Sequence, residues 1–296
     1  MTPILLFTYK RLELTRQTIE ALQRNFLADQ SELFLFSDGP KTEQDLLKVQ
    51  SVRKYLHTVA GFKKITIFES ENNTGLAGSI INGVSRIIKV YDQVIVLEDD
   101  LVTSRNFLSF CNQALDHYRD KPQLLSVGAY TRPIAGLSDN EVYFTRRATS
   151  WGWGTWKDRW EAVDWEVSDY AQFAADRIAR KKFNEMGSDM SGMLDRQMRG
   201  EMSSWAIRWC YHQFKNELYT VFPAVSKVAN IGFMEDATHT KDRFNRFRTE
   251  LDSTDNTRFD LSDDISLDKK MIRQFVKPYS IPERVKYKLL NALPGF

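Results

Sequence analysis

The chain has 296 residues, of which 42% are hydrophobic and 27% charged, and its formal net charge is +2. This is the composition of a folded protein with one large α/β domain or two small ones, and it excludes a disordered chain. The near-neutral balance excludes a strong general pull toward nucleic acid.

The chain opens with Ile4–Thr8, a short apolar run read as a first strand. It lacks the basic start and small-residue cleavage site of a signal peptide. No apolar run anywhere approaches the roughly 18–20 residues of a membrane helix. Cys111 and Cys210 lie far apart and form neither a disulfide framework nor a metal-ligand spacing, so a reducing, cytoplasmic compartment is expected. Leu12, Thr15, Ile19, Leu22 and Phe26 then recur at helical spacing. Leu33–Phe36 predicts a second strand, closed by the turn signal Ser37-Asp38-Gly39-Pro40. A helix marked by Leu46, Val49, Val52, Leu56 and Val59 leads to a third strand at Ile65–Phe68. Leu76, Ile80, Ile81, Val84, Ile87 and Ile88 mark the next helix, and Val94–Leu97 is a fourth strand running into Glu98-Asp99-Asp100. Phe107, Leu108, Cys111, Leu115 and Tyr118 give one more helix. The alternation predicts an α/β fold with a mostly parallel central sheet and helices on both faces.

After about residue 130 the character changes. Five of seven tryptophans fall between Trp151 and Trp165, and Trp205 and Trp209 lie one helical turn apart. Residues 252–268 are acidic and polar, a surface connection, and from Lys269 onward the chain is basic.

Ligands of open parallel sheets bind at the carboxyl ends of the strands. Here those ends carry Thr8 to Arg11, Ser37 to Gly39, Glu69 to Gly75 and Glu98 to Asp100. Three adjacent carboxylates do not all stay ionised without a cation or strong donors. Mg2+ or Mn2+ suits such hard oxygen ligands and completes its shell with phosphate. The site therefore reads as a place for a metal-bound diphosphate; the other reading is a solvated acidic turn. Asn72 to Ser79 opens a helix with small residues and free amides, which attract anions. It is neither a Walker loop nor a dinucleotide fingerprint.

Phe7-Thr8-Tyr9-Lys10-Arg11, Ser37-Asp38-Gly39, Asn73-Thr74-Gly75-Leu76, Glu98-Asp99-Asp100 and Ser150-Trp151-Gly152-Trp153 occur in this order. Together they resemble the GT-A glycosyltransferases, specifically the N-acetylglucosaminyltransferase I family and its bacterial relatives, over roughly residues 3–240. The resemblance implies the GT-A (nucleotide-diphospho-sugar transferase) fold over residues 1–250, with a nucleotide-binding half at 1–130 and an acceptor half at 131–250. A basic extension, 251–296, follows.

The resemblance also implies site residues. Thr8 and Arg11 would meet the nucleotide, Asp38 would accept from its base, and Asn73 and Gly75 would contact the nucleotide-sugar. Glu98 would face the donor sugar, Asp99 the ribose and Asp100 the divalent metal, Mn2+ or Mg2+. Trp153, between Gly152 and Gly154, is expected to be exposed in the sugar pocket, with core packing expected for many other tryptophans. Arg146 and Arg147 would meet acidic groups or lie on the surface. His239 is the candidate second metal ligand, the other reading being a surface histidine that caps a loop. An inverting transfer needs a carboxylate base. Where the family carries an aspartate beside a tryptophan, this chain has Ser203-Ser204-Trp205, which leaves Glu201 and Asp236, with Glu235, as candidates.

The implied partners are a nucleotide-sugar donor, UDP-sugar first, and a glycan or lipid-linked oligosaccharide acceptor of surface polysaccharide synthesis, without nucleic acid. The basic tail has two readings, an amphipathic helix on the inner face of a membrane or a helix packed on the domain. Two other functions stand beside transfer. A glycan-binding or scaffolding protein that has lost its base fits the serines before Trp205, whereas a sugar nucleotidyltransferase is disfavoured because no glycine follows the first strand.

Overall fold

The structure, a computed structural model, describes residues 1–232 and 244–292. Its first half alternates β1 (Ile4–Thr8), α1 (Leu12–Gln23), β2 (Glu32–Ser37), α2 (Glu43–Leu56), β3 (Lys64–Glu69), α3 (Gly75–Ile88) and β4 (Gln93–Glu98). There follow β5 (Leu101–Thr103), α4 (Phe107–His117), β6 (Leu124–Gly128), β7 (Val142–Thr145) and β8 (Trp153–Trp156). Short helices α5 (Lys157–Glu161), α6 (Tyr170–Ala175), α7 (Arg177–Phe183) and α8 (Met190–Met198) precede α9 (Trp205–Lys215). The last elements are β9 (Tyr219–Pro223), β10 (Val228–Asn230), α10 (Lys269–Val276) and α11 (Ile281–Ala292).

Eight strands form one sheet in the order β3-β2-β1-β4-β8-β6-β9-β7, and β10 pairs with β5 in a small second sheet. The pairs among β3, β2, β1 and β4 are parallel, while β8 runs against both β4 and β6. β9 is parallel to β6, and β7 runs against it. The sheet is thus mostly parallel, as the alternating pattern predicts, with an antiparallel insertion.

Period-2 geometry explains why the first strands are continuously apolar. Ile4 and Leu6, Leu33 and Leu35, and Ile95 and Leu97 face one core with α1, α2 and α4. Leu5 and Phe7, Phe34, and Val94 and Val96 face the other with α3 and α9. A sheet covered on both faces needs apolar residues at every position.

Residues 251–292 lie against this body. Phe259, Leu261, Ile265 and Leu267 pack on the first core, while Met271 and Phe275 pack beside Tyr143 and Phe222. The Tyr118 hydroxyl donates to the Ser262 carbonyl at 2.9 Å. α11 carries an exposed stripe of Ile281, Val285 and Leu289. No described helix is long and apolar enough to cross a membrane.

The extension is anchored by one buried ion pair. Lys227, fully buried before β10, donates to Asp252, which also accepts from Asn106 Nδ2 at 2.9 Å and from the Thr254 backbone N–H at 2.7 Å. Burial works to raise the Asp252 pKa, but Lys227, Thr254 and Asn106 outweigh it and hold it below the ordinary carboxylate value. Removing one member of a buried pair leaves an uncompensated charge, at a cost of roughly 3–5 kcal/mol. Lys227→Met is therefore expected to lower urea stability by about that amount, and adding Asp252→Asn to recover part of it. The Asp252 contribution is present above the unfolded carboxylate pKa of about 3.9 and lost as pH falls through the lower folded value. Urea midpoints across pH 2–6 should accordingly fall less steeply at the acid end in the double variant than in the unaltered protein.

Candidate active site

Register brings the polar strand ends level. Thr8 lies beside Ser37, Ser37 beside Glu69, and Phe7 beside Glu98. The edge identified from the strand pattern is therefore real, and the acidic triplet stands on it between β4 and β5.

Arg11, just before α1, closes over the triplet. One guanidinium nitrogen, Nη2, pairs with Asp99 Oδ1 and, at 3.0 Å, with Asp100 Oδ2. The other Asp99 oxygen accepts from the Tyr9 backbone N–H at 3.4 Å, and Thr18 Oγ1 on α1 donates to the Asp99 carbonyl at 3.0 Å. Burial pushes the Arg11 pKa down, but Asp99 and Asp100 outweigh it and raise it. Burial raises the Asp99 carboxyl despite Arg11. It raises Glu98 further, and the neighbouring charges of Asp100 and Asp99 add to the shift. One arginine does not balance three carboxylates.

On the other side of the triplet runs β10. The Ile231 N–H donates to the Asp100 carbonyl at 2.9 Å, and Gly232 lies so close that a Cβ there would overlap Asp100 Oδ2. Asp100 Oδ1 is buried and has no hydrogen-bond partner. Among the described residues no group of three or more His, Cys, Asp or Glu is arranged to hold a metal ion. Among the described residues Asp100 fits one. Its unpartnered oxygen, in an acidic and buried setting, suits a hard cation that takes one protein carboxylate and fills its shell with phosphate oxygens.

Beyond β1 the edge opens into a cleft of about 330 Å³, lined by Phe36, Ser37, Asp38, Phe68, Glu69 and Ser70 among others. Phe36 and Phe68 stack at 5.0 Å, and the Arg86 guanidinium lies 4.1 Å from the Phe68 ring centre. Arg53 on α2 fixes the rim, donating to Ser37 Oγ at 3.2 Å and to the Ser70 carbonyl at 2.6 Å.

Several expectations need correction. Asp38, expected to accept from a nucleotide base, is occupied by its own chain. It accepts from the N–H groups of Gly39, Thr74 and Gly75, each at 2.9 Å, and from Thr74 Oγ1 at 3.2 Å, capping α3. A carboxylate is favourable at a helix N-terminus, and these donors use most of its capacity. Asn73 Nδ2 likewise holds the Gly39 carbonyl at 2.8 Å, and Thr8 Oγ1 the Phe36 carbonyl at 3.1 Å.

Trp153 is 1% exposed and not in a pocket. It belongs to β8, beside Val96 of β4, and its ring lies 4.9 Å from Trp205, 5.6 Å from Trp160 and 5.8 Å from Trp209. The flanking glycine serves packing. Gly152 has φ +62°, and a Cβ there would meet Val228 Cγ2 at 2.6 Å.

Glu201 lies on the surface after α8, pairing with Arg199 at 2.6 Å and facing Arg196 at 3.9 Å, and Arg199 in particular lowers its pKa. A lowered pKa makes a weaker base. The serine that stands in for the expected aspartate, Ser204, caps α9 by accepting from the Ile207 N–H at 3.3 Å. Arg147 is half-buried, paired with Asp189 at 3.1 Å and stacked 3.7 Å from the Tyr279 ring centre. Arg146 lies against Tyr219, its guanidinium 5.5 Å from the ring centre. Glu235, Asp236 and His239 lie outside the described residues.

The structure thus brings Arg11, Glu98, Asp99 and Asp100 together and leaves Glu201 and Trp153 out. Sequence reasoning missed Thr18 and Gly232. Thr18 was hidden among helix positions, and nothing in the spacing of Asn230-Ile231-Gly232 says that the glycine faces Asp100.

No protein-family model and no curated protein matches the chain. Among solved structures it is similar to the mannosyltransferase PcManGT from Pyrobaculum calidifontis in complex with GDP-Man and Mn2+, with TM-score 0.38 and 13% identity over 53% of this chain and 46% of that one. It is also similar to S. aureus TarS 1-349, with TM-score 0.44 and 10% identity over 79% of this chain and 61% of that one. A third similar structure is mouse xyloside xylosyltransferase 1 in its apo form, with TM-score 0.39 and 10% identity over 73% and 82%. The chain spans less than two thirds of the length of the first two.

Two substitutions separate the core behind the sheet from the acidic edge. Trp153→Ala empties the centre of the tryptophan cluster and is expected to cost about 3–5 kcal/mol in chemical denaturation, as large aromatic truncations in cores do. Gly232→Ala displaces the Asp100 carboxylate and should remove activity or metal response with a melting temperature within a few degrees of the unaltered protein. Activity retained in Gly232→Ala would place Asp100 outside the working site.

Proposed function

We propose that this chain is a GT-A glycosyltransferase, of the N-acetylglucosaminyltransferase I pattern. It moves a hexosyl or N-acetylhexosaminyl group, with inversion, from a UDP-sugar to a glycan or lipid-linked oligosaccharide acceptor of surface polysaccharide. The observation that carries this reading is the acidic triplet at the carboxyl edge of the parallel sheet. There, one Asp100 oxygen is buried without a donor while Arg11 engages the other. The ordered motifs from Phe7 to Asp100 support it, since they supply the residues that build this edge.

Asp100 would hold the divalent ion, Mn2+ or Mg2+, with His239 as the second ligand proposed from the sequence. A bound ion of this kind neutralises charge on a departing diphosphate. The remaining work falls to the chain's own side chains. Arg11 holds Asp99 and Asp100 in place before any ligand arrives, so little reorganisation remains when charge develops. The aromatic floor of Phe36 and Phe68, with the rim of Ser37, Glu69 and Ser70, suits the flat face and polar edge of a nucleobase. Glu98, at the end of β4, is the residue proposed to face the donor sugar. With Glu201 paired on the surface, Asp236 is the base proposed for the acceptor hydroxyl. The exposed stripe of α11 beside Lys286 and Lys288 suits peripheral contact with an anionic membrane, where a lipid-linked acceptor resides.

A binding protein of the same fold is the second reading. Its support is the surface position of Glu201 and the capping role of Ser204.

The test is a thermal-shift and donor-hydrolysis panel of nucleotide sugars with and without Mn2+. UDP-sugars with Mn2+ should raise the melting temperature, and Asp100→Ala should lower turnover by about a hundredfold or more. No metal-dependent stabilisation by any donor, or full activity in Asp100→Ala, would sink the transferase reading. Donor binding without turnover across a broad acceptor screen would favour the second.

A further inference from the structure

We propose that the cleft between β10 and α11 is a phosphate-binding subsite for the acceptor, which would make the acceptor a phosphate-bearing glycan or glycolipid. The cleft measures about 390 Å³ and is lined by Arg132, Asn230, Arg246, Phe247, Arg248 and Tyr287 among others. This assignment rests on the transferase reading for the word acceptor, and on the cleft alone for the phosphate.

The chemistry of the lining comes first. Three arginines line it from two segments of chain, and no Asp or Glu does among the described residues. Arg132 and Arg248 make no ion pair with a described residue, and Arg132 Nε is buried without a hydrogen-bond partner. Some arginines elsewhere are matched, as Arg105 is by Asp255 at 2.7 Å, Arg180 by Asp195 at 2.7 Å and Arg199 by Glu201 at 2.6 Å. Like charges held together disfavour one another, and an anion between them relieves the repulsion. A carboxylate is satisfied by one guanidinium fork. A phosphate offers more oxygens and more charge, and fits several forks at once.

The cleft is also built rather than incidental. The Tyr130 hydroxyl holds the Phe247 carbonyl at 2.7 Å, and Thr249 Oγ1 donates to the Thr131 carbonyl at 2.7 Å. Asn291 of α11 brackets Phe244, accepting from its N–H at 2.8 Å and donating to its carbonyl at 3.1 Å. The Arg246 guanidinium lies 4.6 Å from the Phe247 ring centre, and that ring lies 5.8 Å from Trp151 and 5.3 Å from Tyr279.

Position distinguishes acceptor from donor. β10 ends in Asn230 on the cleft wall, and the next residue, Ile231, donates to the Asp100 carbonyl. The aromatic cleft at β2 and β3 lies on the other side of the triplet, with β1 between them and β4. At about 4.8 Å per strand, β3 and β4 are roughly 14 Å apart. A donor laid from that cleft to the triplet leaves the basic cleft on the far side, where the second substrate must enter.

The experiment titrates inorganic phosphate and glycerol phosphate into the full chain at low salt, by calorimetry, with glycerol and acetate as controls. Both phosphates should bind, more weakly as ionic strength rises, and the controls should not. The pair Arg132→Gln and Arg248→Gln should weaken phosphate binding by about tenfold or more, with Arg248→Gln alone, at an exposed position, giving a smaller loss in a chain that melts normally. UDP with Mn2+ should leave phosphate binding in place, and the variants should raise KM for a phosphate-bearing acceptor more than for a neutral one. Equal phosphate affinity in variant and unaltered protein would overturn the subsite. Displacement of phosphate by UDP would assign the cleft to the donor diphosphate and overturn the acceptor role. If the unaltered protein binds no nucleotide sugar at all, the transferase reading fails and the acceptor role with it, while the phosphate titration still reports on the cleft.

Discussion

Three consecutive carboxylates at the end of a buried strand set the terms for this molecule. Charges of one sign in a desolvated place either lose their ionisation or gather opposite charge around them. Here one arginine is gathered, and it bridges two of the three. The arrangement is affordable only because the surrounding fold is rigid. β4 is clamped between β1 and β8, α1 holds the Asp99 carbonyl through Thr18, and β10 holds the Asp100 carbonyl through Ile231. Each contact restricts the turn that carries the charge, so the carboxylates do not move apart. The imbalance is thereby stored in a fixed place, which is what a site for a cationic ligand requires.

The parallel half of the fold was legible in the sequence because both faces of its sheet are buried. Continuous apolar runs, separated by helices with a 3.6-residue period, leave little choice of architecture. Ile4–Thr8 and Val94–Leu97 needed no tertiary information, and the strand-end rule then located the site. The second half was not legible for the converse reason. β5, β8 and β10 are short, and β8 is made of tryptophan, glycine and threonine. Their strand character comes from pairing partners far away in sequence, which no local period records.

The errors at residue level share a cause. Asp38, Trp153 and Glu201 carry the right side-chain chemistry for a sugar-nucleotide site. Local demand reached two of them first, because the first turn of α3 needed an acceptor and β8 needed a large apolar residue between two strands. Glu201 met the nearby Arg199 instead. Chemistry read from a motif gives what a residue is able to do, while the hydrogen-bond ledger of the fold decides what remains free to do it.

That ledger is uneven across the site, and the unevenness carries functional meaning. On the side of β2 and β3 the polar groups are largely satisfied internally. Asp38 caps a helix, Arg53 ties two strand ends together, and Asn73 fixes the Gly39 turn. A pocket whose walls are already bonded holds its shape when empty, so a flat, rigid ligand loses little free energy to reorganisation on entering. On the side of β10 the backbone is pinned, yet Arg132 and Arg248 make no ion pair with a described residue. Shape is fixed there, and these two charges have no described carboxylate to match them. The first kind of surface selects by fit and the second by charge, and charge tolerates variation in the rest of a long, flexible molecule. The proposed transfer, from one small constant ligand to one large variable one, would need both kinds, set on opposite sides of the atoms that react.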